Sequence, residues 1–138
     1  MSYKNTFVKV SEDCPVSSAE IPVAKNGKKP MHLMQYEILT QNPYRFGHEE
    51  LIWEVYVQQK EIPQEIVESQ EGEAIKTQLF SKGHPCMRAS ALVKRYGFGA
   101  HYNEAGKIAI YALGSPEYEQ FLKLENVKVL AGMRTKKA

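Results

Sequence analysis

The apolar positions change period several times along the chain, and each change marks an element. Residues Asn5 to Val10 alternate, with Thr6, Val8 and Val10 on one side and Phe7 on the other, which predicts a first strand. Pro15, Pro22 and Pro30 then punctuate Ser11–Pro30, with Asn26-Gly27 between them; proline removes backbone donors and Asn-Gly favours a turn. Such a long irregular connection is uncommon in a compact domain, where it packs over the sheet or flanks a site. After Pro30 the period becomes helical. Met31, Met34 and Ile38, with Leu33 and Tyr36, form a stripe down to Thr40, and Asn42-Pro43 stops it.

A second helix, Gly47 to Lys60, turns Leu51, Ile52, Val55 and Tyr56 inward and places Glu49 and Glu50 at its positive N-terminal end. Gln64 to Phe80 reads as a third helix, amphipathic through Ile66, Val67, Ile75 and Leu79, with Gly72 as its weak point. Ser90 to Tyr96 is a short helix with Leu92 and Val93 inward, ended by Gly97. Phe98–Tyr102 and Lys107–Leu113 are the arms of a 98–113 hairpin around the loop Asn103-Glu104-Ala105-Gly106. In that register Tyr102 pairs with Lys107, and His101 and Gly99 face Ile108 and Ile110 around a small hollow. Ser115-Pro116-Glu117 starts another helix, with Tyr118, Phe121 and Leu122 as its stripe. Val127–Leu130 is a last strand, before a basic tail, Arg134 to Lys137. Residues 1–138 therefore read as a single α+β domain: a small, mostly antiparallel sheet with several helices packed on it.

Composition narrows the class. With 138 residues, 43% hydrophobic and 25% charged, the chain is long enough to bury a core and near the average for soluble globular proteins. A formal net charge of +2 is too small to imply nucleic-acid or membrane binding. No run approaches the ~18 apolar residues of a membrane span, and Met1–Val10 lacks the apolar core of a secretory signal. The cytoplasm is the expected compartment, with Cys14 and Cys86 as free thiols.

Charge is distributed unevenly. His48 to Glu73 holds eight glutamates and one lysine, whereas Ala74 to Asn103 holds no acid and five cations, Lys76, Lys82, Arg88, Lys94 and Arg95. Two solvated faces of opposite sign account for this without any ligand. A sharper reading makes Lys82, Arg88, Lys94, Arg95 and His101 the anion-binding residues of one site. The same stretch carries a candidate nucleophile, Cys86, with His84 before it, Arg88 after it and His101 further on. Positive neighbours raise a thiol's thiolate population, and in an extended segment His84, Cys86 and Arg88 would share a face. Ser81-Lys82-Gly83 is a further, less specific phosphate turn.

Other chemistries find little support. Cys14, His84, Cys86 and His101 lack the short paired spacings of structural zinc, so no metal site is expected. Lys94-Arg95-Tyr96-Gly97-Phe98-Gly99 partly resembles the aromatic strand of RNA-recognition domains. Arg95 stands where that pattern has glycine and Gly99 where it has an aliphatic, and the element order departs from that fold; nucleic acid is not an expected partner. No nucleotide, hydrolase or metalloprotease motif occurs, so no cofactor is expected.

Six segments do carry a resemblance: N-T-F-V-K-V-S-E-D-C-P-V, Q-Y-E-I-L-T-Q-N-P-Y, S-K-G-H-P-C-M-R-A-S, K-R-Y-G-F-G-A-H, E-A-G-K-I-A-I-Y and A-G-M-R-T-K-K-A. Together they resemble an uncharacterised family of small bacterial proteins, a domain of unknown function, over nearly the full length. That resemblance implies a single-domain bacterial protein and brings no activity or site residue with it. The leading expectation is a binding or accessory domain for a small anionic molecule or a protein partner. The alternative is a small enzyme using Cys86 with a nearby histidine, and a third reading is a homodimer-forming subunit.

Overall fold

In the computed structural model, which describes residues 3–135, the first strand and the hairpin meet in one four-stranded sheet. Its strands are β1 (Thr6–Lys9), β2 (Phe98–Tyr102), β3 (Ile108–Ala112) and β4 (Lys128–Ala131), in the order β3-β2-β1-β4. The β1–β2 and β2–β3 pairs are antiparallel and β1–β4 is parallel. Around the sheet lie α1 (Met31–Gln41), α2 (His48–Gln59), α3 (Gln64–Val67), α4 (Gln70–Leu79), α5 (Ala91–Lys94) and α6 (Pro116–Phe121). The protein is a single α+β domain.

Strand alternation divides the core. Val8, Ala100, Tyr102 and Ile108 face the side where α1, α2 and α5 bring Met34, Ile38, Leu39, Leu51, Val55, Leu92 and Val93. Phe7 points the other way, edge-on to Tyr118 and stacked on Phe121 of α6. Val10 joins the Phe7 cluster instead of sharing Val8's side: the strand has ended at Lys9, and the Val10 amide donates to the Tyr118 hydroxyl at 2.9 Å. The proline-rich connection folds over the start of β2. The Glu20 amide donates to the Tyr96 carbonyl at 2.8 Å, and Asn26-Gly27 turns at positive φ (51 and 74°) between Lys25 and Lys28.

Four expectations are corrected. Gln64–Phe80 is two helices: Ser69 Oγ accepts the Gly72 amide at 3.3 Å and donates to the Ile66 carbonyl at 2.6 Å, capping α4. A Cβ on Gly72 would stand 2.3 Å from the Ile66 carbonyl oxygen, so α4 can start this close to α3 only on a glycine. In the hairpin Tyr102 pairs with Ile108, His101 with Ala109 and Gly99 with Tyr111. The turn holds one more residue than the four-residue loop allows. Gly106 adopts φ 78°, and Asn103 Oδ1 accepts the Ala105 and Lys107 amides at 3.0 and 2.9 Å. The one-residue slip flips β3 relative to β2, replacing the two isoleucines beside His101 and Gly99 by Ala109 and Tyr111. Third, Met87–Ala89 is a 3-10 turn, so His84, Cys86 and Arg88 do not alternate along an extended segment. Fourth, α6 ends at Phe121 and Leu122 is exposed. Of the basic tail, Arg134 pairs with Glu12 at 3.0 Å, while Lys136 and Lys137 lie outside the described residues.

At Gly99 the sheet lies directly against Phe7 and the α6 residue Tyr118. A Cβ there would lie 2.5 Å from Phe7 Cζ and 2.8 Å from Tyr118 Cε2, both in a packed cluster. Gly99→Ala is therefore expected to destabilise the protein by about 1–3 kcal/mol. The urea midpoint should fall with an unchanged slope; a wild-type midpoint would show that the two rings have room to move.

Candidate functional site

Several residues that periodicity assigns to the core are not fully buried. Met31 remains 52% exposed, and Ile52, Tyr56 and Leu79 are half-buried. They line a cleft of about 460 Å³ bounded by α1, α2, the end of α4 and residues 82–91. At its base Ser90 caps α5 and donates through Oγ to Gln35 Oε1 at 2.7 Å, which locks α1 to the start of α5.

The polar groups on the walls are Lys60, Lys82, His32, His84, Gln35, Gln59, Ser90 and the Cys86 thiol; no Asp or Glu is among the lining residues. This follows from helix geometry. Glu50 is drawn to Lys107, and Glu54 faces a separate polar hollow with Lys29 and Glu37. The Lys60 ammonium lies 5.9 Å from the centroid of the Tyr56 ring, which holds it along the cleft wall.

The residues expected to form one anion site are distributed over the molecule. Lys82 lines the cleft. Arg88 does not; its Nε donates to the Ala131 carbonyl at 2.8 Å, and its own carbonyl accepts the Met133 amide at 2.8 Å, tying β4 down. Lys94 ends α5, and the exposed Arg95 follows it. Burial, with Arg95 and Lys25 nearby, holds the His32 imidazole below its ordinary pKa. His101 lies on the opposite face of the sheet. The cleft residues that sequence reasoning missed, His32, Gln35 and Lys60 among them, sit beside apolar stripe positions. Their one detectable sign was a helical stripe wider than the sheet could cover.

The thiol has a built environment. Cys86 Sγ lies 3.7 Å from the Tyr3 hydroxyl. The thiol contact, then burial, push the Tyr3 phenol above its ordinary pKa, while Arg88 beside it acts in the opposite sense. Tyr3 rests edge-on against Tyr102, with centroids 5.3 Å apart. The buried Tyr102 hydroxyl in turn accepts the Met87 amide at 3.3 Å. His84 also lines the cleft, with Nε2 2.7 Å from the Leu79 carbonyl. A carbonyl only accepts, so Nε2 carries hydrogen and Nδ1 is the nitrogen left to act as a base. The thiol's hydrogen-bond contact is Tyr3, not a histidine. Both cysteines are free, Cys14 packing on the Phe7–Tyr118 cluster. Among the described residues no three potential metal ligands gather.

His101 belongs to a different arrangement. It stacks on Phe121 with centroids 4.1 Å apart, and its Nδ1 lies 2.7 Å from the Tyr44 hydroxyl, itself 2.8 Å from that of Tyr111. Burial lowers the His101 pKa and raises that of Tyr44. Tyr44, at φ 61°, anchors the loop beside β3, its amide donating to the Ile108 carbonyl at 2.9 Å. The basic-aromatic stretch also fails to form a base-stacking platform. Phe98 is buried in the helix-side core, and the Tyr96 ring stacks on His32 at 4.8 Å.

Residues 1–138 match the family described as "Family of unknown function (DUF6157)", and the chain belongs to that family. No curated protein and no solved structure matches it. No helix among the described residues is long and apolar enough to cross a membrane.

The environment of His101 has a pH consequence. Its folded pKa lies below the ordinary 6.5, so as pH falls the unfolded chain takes up the proton first. Stability is therefore highest above 6.5, declines below it, and levels off under the folded pKa. Urea midpoints between about pH 7.5 and 5, the window of histidine titration, should fall, and fall less steeply in His101→Gln. An identical slope in the variant would remove His101 from this account.

Proposed function

We propose that this member of the family is a binding protein for a small organic anion with an apolar body. The ligand's body lies against Ile52, Val55, Tyr56 and Leu79, and its anionic group meets Lys82 and Lys60. The observation that carries this reading is the lining of the cleft: apolar walls, two lysines and no carboxylate, in a chain where the adjoining helices are rich in glutamate. A cationic ligand would find no carboxylate counter-charge in that lining. Arg95 adds positive potential near His32 at one end of the cleft. In this reading the ligand set is Lys82 and Lys60, since Arg88, Lys94 and His101 do not line the cleft. Two free thiols accord with a cytoplasmic setting.

A thermal-shift panel of carboxylates, phosphates and sulfonates, with matched amines and neutral analogues, tests the reading. A ligand at about 100 times its Kd adds roughly 2.7 kcal/mol, a rise of several degrees in a domain of this size. The expected hit is an anion whose shift shrinks in Lys60→Ala and Lys82→Ala and at high salt. A panel in which anions do no better than amines overturns the proposal, as does a hit indifferent to both lysines.

A further inference from the structure

The cleft contains one group that simple binding of an anion does not use. Cys86 lines it with Lys82 and His84, and its sulfur meets the Tyr3 hydroxyl. The Tyr3 hydroxyl is 3.7 Å from Sγ, and the Arg88 guanidinium acts electrostatically on Tyr3 in the sense that lowers its pKa. Arg88 is held at the end of β4 by its bond to the Ala131 carbonyl, and Tyr3 by the edge of the buried Tyr102 ring. The Cys86 carbonyl accepts the Ala89 amide at 3.0 Å, fixing the thiol at the start of the 3-10 turn. When the sulfur ionises, the Tyr3 hydroxyl can turn from accepting to donating, and the guanidinium behind it favours that polarity.

We infer that Cys86 is a reactive thiol that exchanges with small anionic disulfides, forming its mixed disulfide inside this cleft. The inference rests on the cleft being an anion site. The Cys86 thiolate attacks one sulfur of a disulfide R–S–S–R; the Cys86–S–S–R bond forms as the S–S bond of the reagent breaks. The leaving electron pair departs on R–S⁻, which takes up a proton equivalent to the one Cys86 released. Cys86 is oxidised, and the departing sulfur is reduced. The disulfide is thus the oxidant, and no other reactant is needed. Lys60 and Lys82 select a reagent that carries carboxylates, and a cleft of about 460 Å³ is of the size that takes a small-molecule ligand. Tyr3 is a positioning residue, acting on the sulfur and not on the reagent.

The test uses the full chain in a Cys14→Ser background, which leaves one thiol. The reduced protein is treated at low salt with equal concentrations of oxidised glutathione (anionic), hydroxyethyl disulfide (neutral) or cystamine (cationic), and adducts are timed by intact mass. The expected result is modification of Cys86 by oxidised glutathione about tenfold or more faster than by cystamine, the size of effect electrostatic focusing supplies. At about 1 M salt that preference should collapse, as it should in Lys60→Ala with Lys82→Ala. Tyr3→Phe should slow all three reagents alike, a pattern that loss of the anion site cannot produce. A Cys86 that reacts with none of the three when folded, but with all when unfolded, overturns the thiol inference alone; ligand binding in the thermal-shift panel would still uphold the anion site. Equal rates for the three reagents at low salt overturn the inference together with the anionic reading of the cleft.

Discussion

A buried hydrogen bond ties the sheet to the segment beside the cleft: the Tyr102 hydroxyl, in the helix-side core, accepts the Met87 amide at 3.3 Å. A tyrosine so deeply buried requires a partner for its hydroxyl, and a 3-10 turn requires partners for its first amides; each satisfies the other. The consequence extends to the site. With Met87 fixed, Cys86 is held in the lining of the cleft, and the same buried tyrosine ring supports Tyr3 beside the sulfur. A phenylalanine at 102 would retain most of the packing and leave a buried amide unpaired, at a cost of about 1–3 kcal/mol.

The sheet also separates two chemistries. On the helix side, α1 and α2 bury Leu39, Leu51 and Val55 but leave their flanking positions uncovered, and these become the cleft walls. On the other side α6 covers Phe7, and His101, Tyr44 and Tyr111 share a short hydrogen-bonded chain. Cys86 and His101, which lie in one stretch of sequence, end on opposite sides because β2 alternates and Tyr102, not His101, faces the helices. Charge is sorted by the same geometry. Glu50 and Glu54 of α2 turn toward Lys107 and the outer hollow, and the same helix contributes Ile52, Tyr56 and Gln59 to a wall without carboxylates.

The elements were legible where local rules act alone. The strand at Thr6–Lys9, the helix opened at Met31 after Pro30, the Ser115-Pro116 start of α6 and the division of the 98–113 hairpin into two arms all follow from period, caps and prolines. Misreadings arose where a single residue had a partner far along the chain or a geometry hidden from a pattern. Gly72 reads as a weak point in one helix but is the contact between two. Gly106 reads as the last residue of a loop, yet its left-handed backbone adds a residue and flips β3.

From the sequence alone came the α+β class, the single domain, the family, and the acid-free stretch in which Lys82 and Cys86 stand. Each depends on near-neighbour preferences or on composition, which a linear pattern records. Only the tertiary structure separated core from cleft wall, brought Lys60 and Lys82 into one cleft and Tyr3 to the Cys86 sulfur, and set His101 on the other side of the sheet. Periodicity states that a residue such as Ile52 or Tyr56 is apolar and on an inward face. Whether another element arrives to cover that face depends on how helices distant in sequence pack on one sheet, and that is where the cleft is made.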